Sequence, residues 1–169
     1  MTKPKRDAEA TRDRILLAAQ TVFSTRGYAA AGVREIAALA GANPALVSRS
    51  FGSKEGLFEA ALAEVLDVSL ITALPRERFG DALVSTFTEA RGDRINPLPM
   101  LVLAMSDTRA RDIAERQLRA RFTELLARWF GTAQAEERVA RLSMLATGFF
   151  VYRLLYPMPA LTGAVAPAT

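Results

Sequence analysis

The stretch VREIAALAGANPALVSRSFGSKEGLF, residues 33–58, decides the fold. Val33, Ile36, Ala37 and Ala40 fall at helical spacing and give one apolar face to a helix of barely two turns. So short a helix is marginal alone and has to be held by packing. Gly41 follows, able to take the positive φ that ends a helix. Two residues on, Asn43 can cap a new helix by accepting from its first free N–H groups. Pro44 then occupies the first helical position, where a missing N–H costs little. The new helix continues through Leu46, Val47, Ser50 and Phe51, with Leu46, Val47 and Phe51 available to pack inward. Two short helices joined by a turn of about three residues that starts with glycine make a helix-turn-helix.

Such a unit lays its second helix in the major groove of DNA, with the N-terminal residues nearest the bases. On that helix Ala45, Ser48 and Arg49 are the candidates to face DNA. Ser48 and Arg49 can donate to base edges or phosphates, and Ala45 can touch a thymine methyl. Lys54 opens the next helix, where the helix dipole favours anions, so a phosphate contact is the reading that accounts for it. Arg34 is a secondary phosphate candidate. Arg12, Arg14 and the cluster Lys3, Lys5 and Arg6 can add backbone or minor-groove contacts.

Outward from this stretch the helical period persists. Residues 1–8, polar and basic with Pro4 among them, read as a flexible basic arm. From Glu9 to Arg26 the residues Ile15, Ala19, Val22 and Phe23 recur at helical spacing, and Gly27 closes that helix. Ser53 precedes another helix carrying Leu57, Phe58, Ala61, Leu62, Val65 and Leu66 on its apolar side. Pro75 breaks the pattern. Beyond it, helices are expected over about 76–91, 97–106, 109–130 and 133–156, separated by Gly92-Asp93, Asn96-Pro97 and Gly131. No segment alternates with a period of two, so the fold class is all-α. The expected organisation is an arm (1–8), a three-helix helix-turn-helix domain (9–53), a connecting helix (54–74) and a helical regulatory and dimerisation domain (75–169).

Three segments carry a family resemblance: RILLAAQTVFSTRGY (14–28), VREIAALAGANPALVSRSF (33–51) and GSKEGLF (52–58). In composition and order, residues 11–66, about a third of the chain, resemble the N-terminal domain of the tetracycline-repressor (TetR) family. The resemblance implies a DNA-binding surface that includes Gly32, Val33, Arg34, Asn43, Pro44, Ala45, Ser48, Arg49 and Lys54. It also implies a variable second half that binds an inducer, and a dimer made by a four-helix bundle of the last two long helices from each chain. Two positions depart from the family pattern. Arg49 and Ser50 stand where one or two aromatic or His residues are usual, and Gly32 stands where Ser or Thr often precedes the second helix.

In the second half, Leu118, Phe122, Leu125, Leu126, Trp129 and Phe130 form a broad apolar stripe. Residues 139–156 leave little polar face, so that helix needs cover on several sides. In so small a domain a partner subunit is the natural cover, with Leu126, Leu142, Leu145, Phe149 and Tyr152 as the expected interface. A membrane span is not expected, because the uninterrupted apolar run from Leu142 to Tyr152 is too short and Arg153 follows it. Phe87, Met100, Leu103, Met105, Phe122 and Trp129 are candidates to line a pocket for a small hydrophobic effector, or else to form ordinary core.

Composition narrows the function further. With no Cys and no His, thiolate chemistry, disulfides and the commonest general base and metal ligand are absent. No catalytic residue, metal or cofactor is expected; a carboxylate enzyme using Asp81 and Glu89 has no spacing to support it. The net charge of +4 suits a polyanionic partner. No apolar run follows the N-terminal charges, so a signal peptide is not expected and a cytoplasmic location is. The reading is a homodimeric transcriptional regulator, a repressor released from a palindromic double-stranded DNA operator by a small hydrophobic ligand. The alternative is a helical ligand-binding or scaffold dimer without sequence-specific DNA binding.

Overall fold

The computed structural model describes residues 3–82, 96–131, 133–152, 156 and 158, and among these there are helices and turns but no strand. Helix α1 spans Lys3–Ala30, α2 Val33–Leu39, α3 Pro44–Phe51 and α4 Lys54–Val65. A single turn of helix, α5 (Ser69–Thr72), and a 3-10 turn at Arg76–Arg78 follow. Helix α6 spans Pro97–Ala104 and α7 Thr108–Leu118. A π-helical turn at Arg119–Thr123 joins α7 to α8 (Glu124–Phe130), and α9 spans Ala135–Phe150.

Two helix bounds differ from those expected. The stretch read as an arm is helical from Lys3 onward, since Pro4 lies in the first turn, where its missing N–H breaks no helical hydrogen bond. The connecting helix ends at Val65, short of residue 74, where Leu66 leaves helical geometry and Asp67 turns its side chain back to accept from the Ser69 N–H at 2.9 Å.

One core runs through both halves of the chain. Ile15, Ala19, Phe23, Ile36, Val47, Leu57, Phe58 and Leu62 form its N-terminal part, and Met100, Ala104, Ala110, Ile113 and Ala114 close it from the other side of Pro75. Phe23, Tyr28 and Phe58 interlock at its centre, with ring centroids 5.0–6.1 Å apart. The approach of α6 to α1 depends on Gly27. There α1 kinks at φ 73°, and a β-carbon would sit 3.3 Å from the Leu103 Cβ. The glycine both adopts the left-handed backbone and leaves room for the crossing helix.

A second, smaller core gathers Val68, Phe79, Leu126 and Val139, with Phe122, Trp129, Phe130 and Leu142 packed against it. Its aromatic rings lie 4.8–5.4 Å apart, and the Arg76 guanidinium lies over Trp129 and donates to its carbonyl at 2.7 Å. The rod formed by α7 and α8 serves both cores: Ala110, Ile113 and Ala114 face the first, and Leu126 faces the second.

Met100 and Met105 look alike in sequence, yet Met100 is fully buried and Met105 is 69% exposed just past the end of α6. Met100→Ala is therefore expected to lower stability by about 2–5 kcal/mol. Met105→Ala should change it by about 0.5 kcal/mol or less. Denaturant unfolding of the two variants measures the contrast.

Candidate nucleic-acid interface

The surface that presents α3 is built from the turn upward. Ala40 ends α2, Gly41 takes φ 61°, and the Gly41 N–H donates to the Ala38 carbonyl. Asn43 then caps α3 as its sequence position suggests: its Oδ1 accepts from the Ala45 N–H at 2.9 Å, and Pro44 opens the helix. Val47 is buried and Phe51 packs on the same core from the last turn. The Arg12 guanidinium lies over the Phe51 ring at 5.2 Å, clamping the C-terminal end of α3 to α1.

With Val47 inward, Ala45, Ser48 and Arg49 all come to the surface together. Arg49 makes no ion pair or hydrogen bond within the chain among the described residues, so its five donors remain available. Arg34 is exposed on α2. Gly32 gives α2 no side-chain cap, and Val33 is half-buried against the core. Arg14 is taken up internally: it donates to the Ala40 carbonyl at 3.3 Å and to the Thr11 hydroxyl. The side chains of Lys3, Lys5 and Arg6 lie outside the described residues.

Leu46, which the spacing makes available to pack inward, is 39% exposed, whereas Val47 is 2% exposed. An eight-residue helix has room to bury a narrow face, and Val47 and Phe51 fill it.

Lys54 is half-buried at the start of α4. Its ammonium lies 4.5 Å from the centre of the Tyr28 ring and donates to the Ala29 carbonyl at 3.3 Å, which leaves two of its three N–H groups free. Beside it Ser53 caps α4 by accepting from the Gly56 N–H at 3.2 Å. The Glu55 carboxyl is held down at about 2, first by its own backbone N–H, then by the Ser53 hydroxyl and the Tyr28 phenol. Burial, and then the bond to Glu55, pushes the Tyr28 phenol up to about 12. Arg109 of α7 pairs with the same carboxylate at 3.3 Å. The start of α4 is thereby tied both to the end of α1 and to the second half of the chain.

The candidate pocket residues do not converge. Met100 is inside the first core, Leu103 covers Gly27, Met105 faces solvent, and Phe122 and Trp129 belong to the second core. Phe87 lies outside the described residues. A groove of about 620 Å³ does open between α1, α4 and the end of α7, but its walls include Arg12, Glu59, Glu64, Gln117 and Arg121. Those charged walls are the opposite of an apolar cavity. Nothing in the sequence pointed to this groove, because Gln117 and Glu59, which share a 2.8 Å hydrogen bond in it, are 58 residues apart.

The expected dimer residues divide as well. Leu126 is buried in the second core against Phe79 and Val139, and Leu142 packs on the same core. Leu145 and Tyr152 are 73% and 50% exposed, and Met144, which the expected set omitted, is 75% exposed. Among the described residues, the outer side of α9 and the turn after it is thus an apolar surface left open. No helix among the described residues is long and apolar enough to cross a membrane.

Residues 15–61 match the family model for bacterial regulatory proteins of the tetR family, and residues 77–168 match that of the tetracycline-repressor-like C-terminal domain. The HTH-type transcriptional repressor NicS of Pseudomonas putida is 41% identical over 58 residues, 34% of this chain; the match spans 27% of that protein's length. Among solved structures, a TetR-family transcriptional regulator from Rhodococcus sp. has a TM-score of 0.72 at 21% identity, covering 92% of this chain and 96% of that one. NalD, the secondary repressor of the MexAB-OprM multidrug efflux pump in Pseudomonas aeruginosa, has a TM-score of 0.61 at 22% identity, covering 94% and 92%. At these identities the structural likeness is one of fold.

The depressed Glu55 carboxyl makes a prediction with a definite sign. A folded value near 2, below the ordinary 4.5, contributes stability above pH 4.5 and loses it as pH falls toward 2. Glu55→Gln should be less stable than the wild type at neutral pH, and the gap should narrow across that acid window. Thermal unfolding of both proteins as a function of pH tests this.

Proposed function

This chain belongs to the tetR family of bacterial regulatory proteins, and on that premise we propose that it is a homodimeric repressor released from its operator by a small effector. The family's members are DNA-binding transcriptional regulators. The observation that carries the reading for this chain is the outward face of α3: Ala45, Ser48 and Arg49 exposed together on a helix capped by Asn43 and anchored by Val47 and Phe51.

Each part of that surface has a task. Arg49 and Ser48 donate to base edges or phosphates, and Ala45 contacts a thymine methyl. Arg34, Lys54 and the start of α2 at Gly32 and Val33 contact the DNA backbone, which positions the protein without reading sequence. The Tyr28 ring and the Ala29 carbonyl hold the Lys54 ammonium in place before DNA arrives, so little side-chain freedom is lost on binding.

Dimerisation supplies the second reading helix. Met144, Leu145 and Tyr152 of one chain meet their copies across a two-fold axis, which turns a short half-site into a palindrome. Release follows from the shared core. Because α6 rests on α1 at Gly27, a ligand that favours another position of α6 also favours another separation of the two α3 helices. The names of NicS and NalD, both repressors, agree with repression as the direction of control.

Selection of operators from a random duplex pool, followed by binding measured by fluorescence anisotropy over a range of salt, tests this reading. Specific, salt-sensitive binding by a dimer is the expected result. Arg49→Ala should lose about 1–3 kcal/mol of binding with its unfolding unchanged, and Arg34→Ala should weaken all duplexes alike and reduce the salt slope by about 1. Leu145→Glu should shift the protein to monomer in sedimentation and weaken operator binding with it. Equal, weak binding to every duplex sinks the proposal.

A further inference from the structure

Leu46 is the large apolar residue that α3 leaves partly open to solvent: it is 39% exposed, while its neighbour Val47 is 2% exposed. The helix has no freedom to roll it inward. Asn43 and Pro44 fix the first turn, Val47 fills the centre of the buried side, and Phe51 is held under Arg12.

Successive residues on a helix turn by roughly 100°. With Val47 inward, Ala45 and Arg49 point directly outward and Leu46 and Ser48 form the two shoulders of the same face. Leu46 is the third residue of α3, in the turn that lies nearest the bases when such a helix enters the major groove.

We infer that Leu46 is a specificity-determining residue that reads the C5-methyl group of thymine in the major groove; the inference rests on the DNA-reading role proposed above for α3. The chemistry selects the partner. Thymine is the one base whose major-groove edge offers an apolar group, whereas guanine, adenine and cytosine present donors and acceptors there. A leucine side chain over the cytosine amine or the guanine acceptors would strip their water and return no hydrogen bond, so it also penalises the wrong pair. A protein partner fits the surface less well. Arg34 and Arg49 are exposed close by in sequence on the same motif, a balance of charge that suits a polyanion. Leu46 also continues the face formed by Ala45, Ser48 and Arg49.

The test uses the full chain and an operator selected by it from a random duplex pool. Each thymidine is replaced singly by deoxyuridine, which removes the methyl group and keeps every hydrogen-bonding atom. Affinity is measured by anisotropy for the wild type and for Leu46→Ala. At one or more thymines in each half-site the wild type should bind about fourfold more weakly per methyl removed, the worth of one buried methyl group. Leu46→Ala should be indifferent to the same replacements, and its thermal unfolding, measured alongside, separates a lost methyl contact from a loss of folded protein.

The double-mutant cycle separates a direct contact from an effect of the methyl group on DNA stiffness. Wild-type binding unchanged by every replacement overturns the inference and leaves the operator reading intact. A loss that persists undiminished in Leu46→Ala also overturns it, since the methyl is then read by another residue. A pool that enriches no sequence overturns the operator reading and this inference together.

Discussion

The contact on which the rest of the structure depends is the crossing of α6 over α1 at Gly27. A helix that is to carry a DNA-reading unit and also answer to the second half of the chain must be touched closely by that half. Closeness here is a matter of one missing side chain. With a hydrogen in place of a β-carbon, Leu103 reaches the α1 backbone and Met100 enters the core between α1 and α4. Any larger residue at position 27 would press its β-carbon on Leu103 at 3.3 Å and have to adopt a left-handed backbone as well. The first core consequently joins both halves of the chain: α2 and α3, too short to stand alone, rest on α1 and α4, which the helices beyond Pro75 pack against in turn.

A second tie reinforces the first from the surface. Glu55 accepts from Ser53, Tyr28 and Arg109, so the first turn of α4 touches the end of α1 and the start of α7 at once. Lys54, its neighbour, is pinned over Tyr28. Individually such exposed contacts contribute little. Their value is geometric: they set the height of the α3–α4 corner above α1, and with it the presentation of the reading helix.

Much of this was legible in the sequence, and what was not has a common cause. The boundaries of α2 and α3, the Asn43 cap and the turn at Gly41 were readable because each depends on residues within a few positions. Partnerships over distance were not. Periodicity correctly put Leu46, Val47 and Phe51 on neighbouring parts of one helix, but which of them is covered depends on where α1 lies. The stripe through Phe122, Leu126 and Trp129 was equally suited to a pocket, a dimer face or a core, and Phe79 and Val139 made it a core. Met105 resembles Met100 in sequence but lies just beyond the end of its helix and faces solvent. The charged groove between α1, α4 and α7 left no local trace at all.

The π-helical turn at Arg119–Thr123 has a bearing on how such a chain can change over generations. A π turn accommodates an additional residue without breaking the rod, and in doing so it rotates everything downstream relative to everything upstream. Here it stands between α7, whose small residues serve the first core, and α8, whose Leu126 serves the second. It uncouples their phases, so that neither face has to compromise for the other. A lineage could gain or lose a single codon at this point and re-aim the C-terminal helices in one step. The part that reads DNA would keep its packing, while the part that meets ligand or partner took a new orientation.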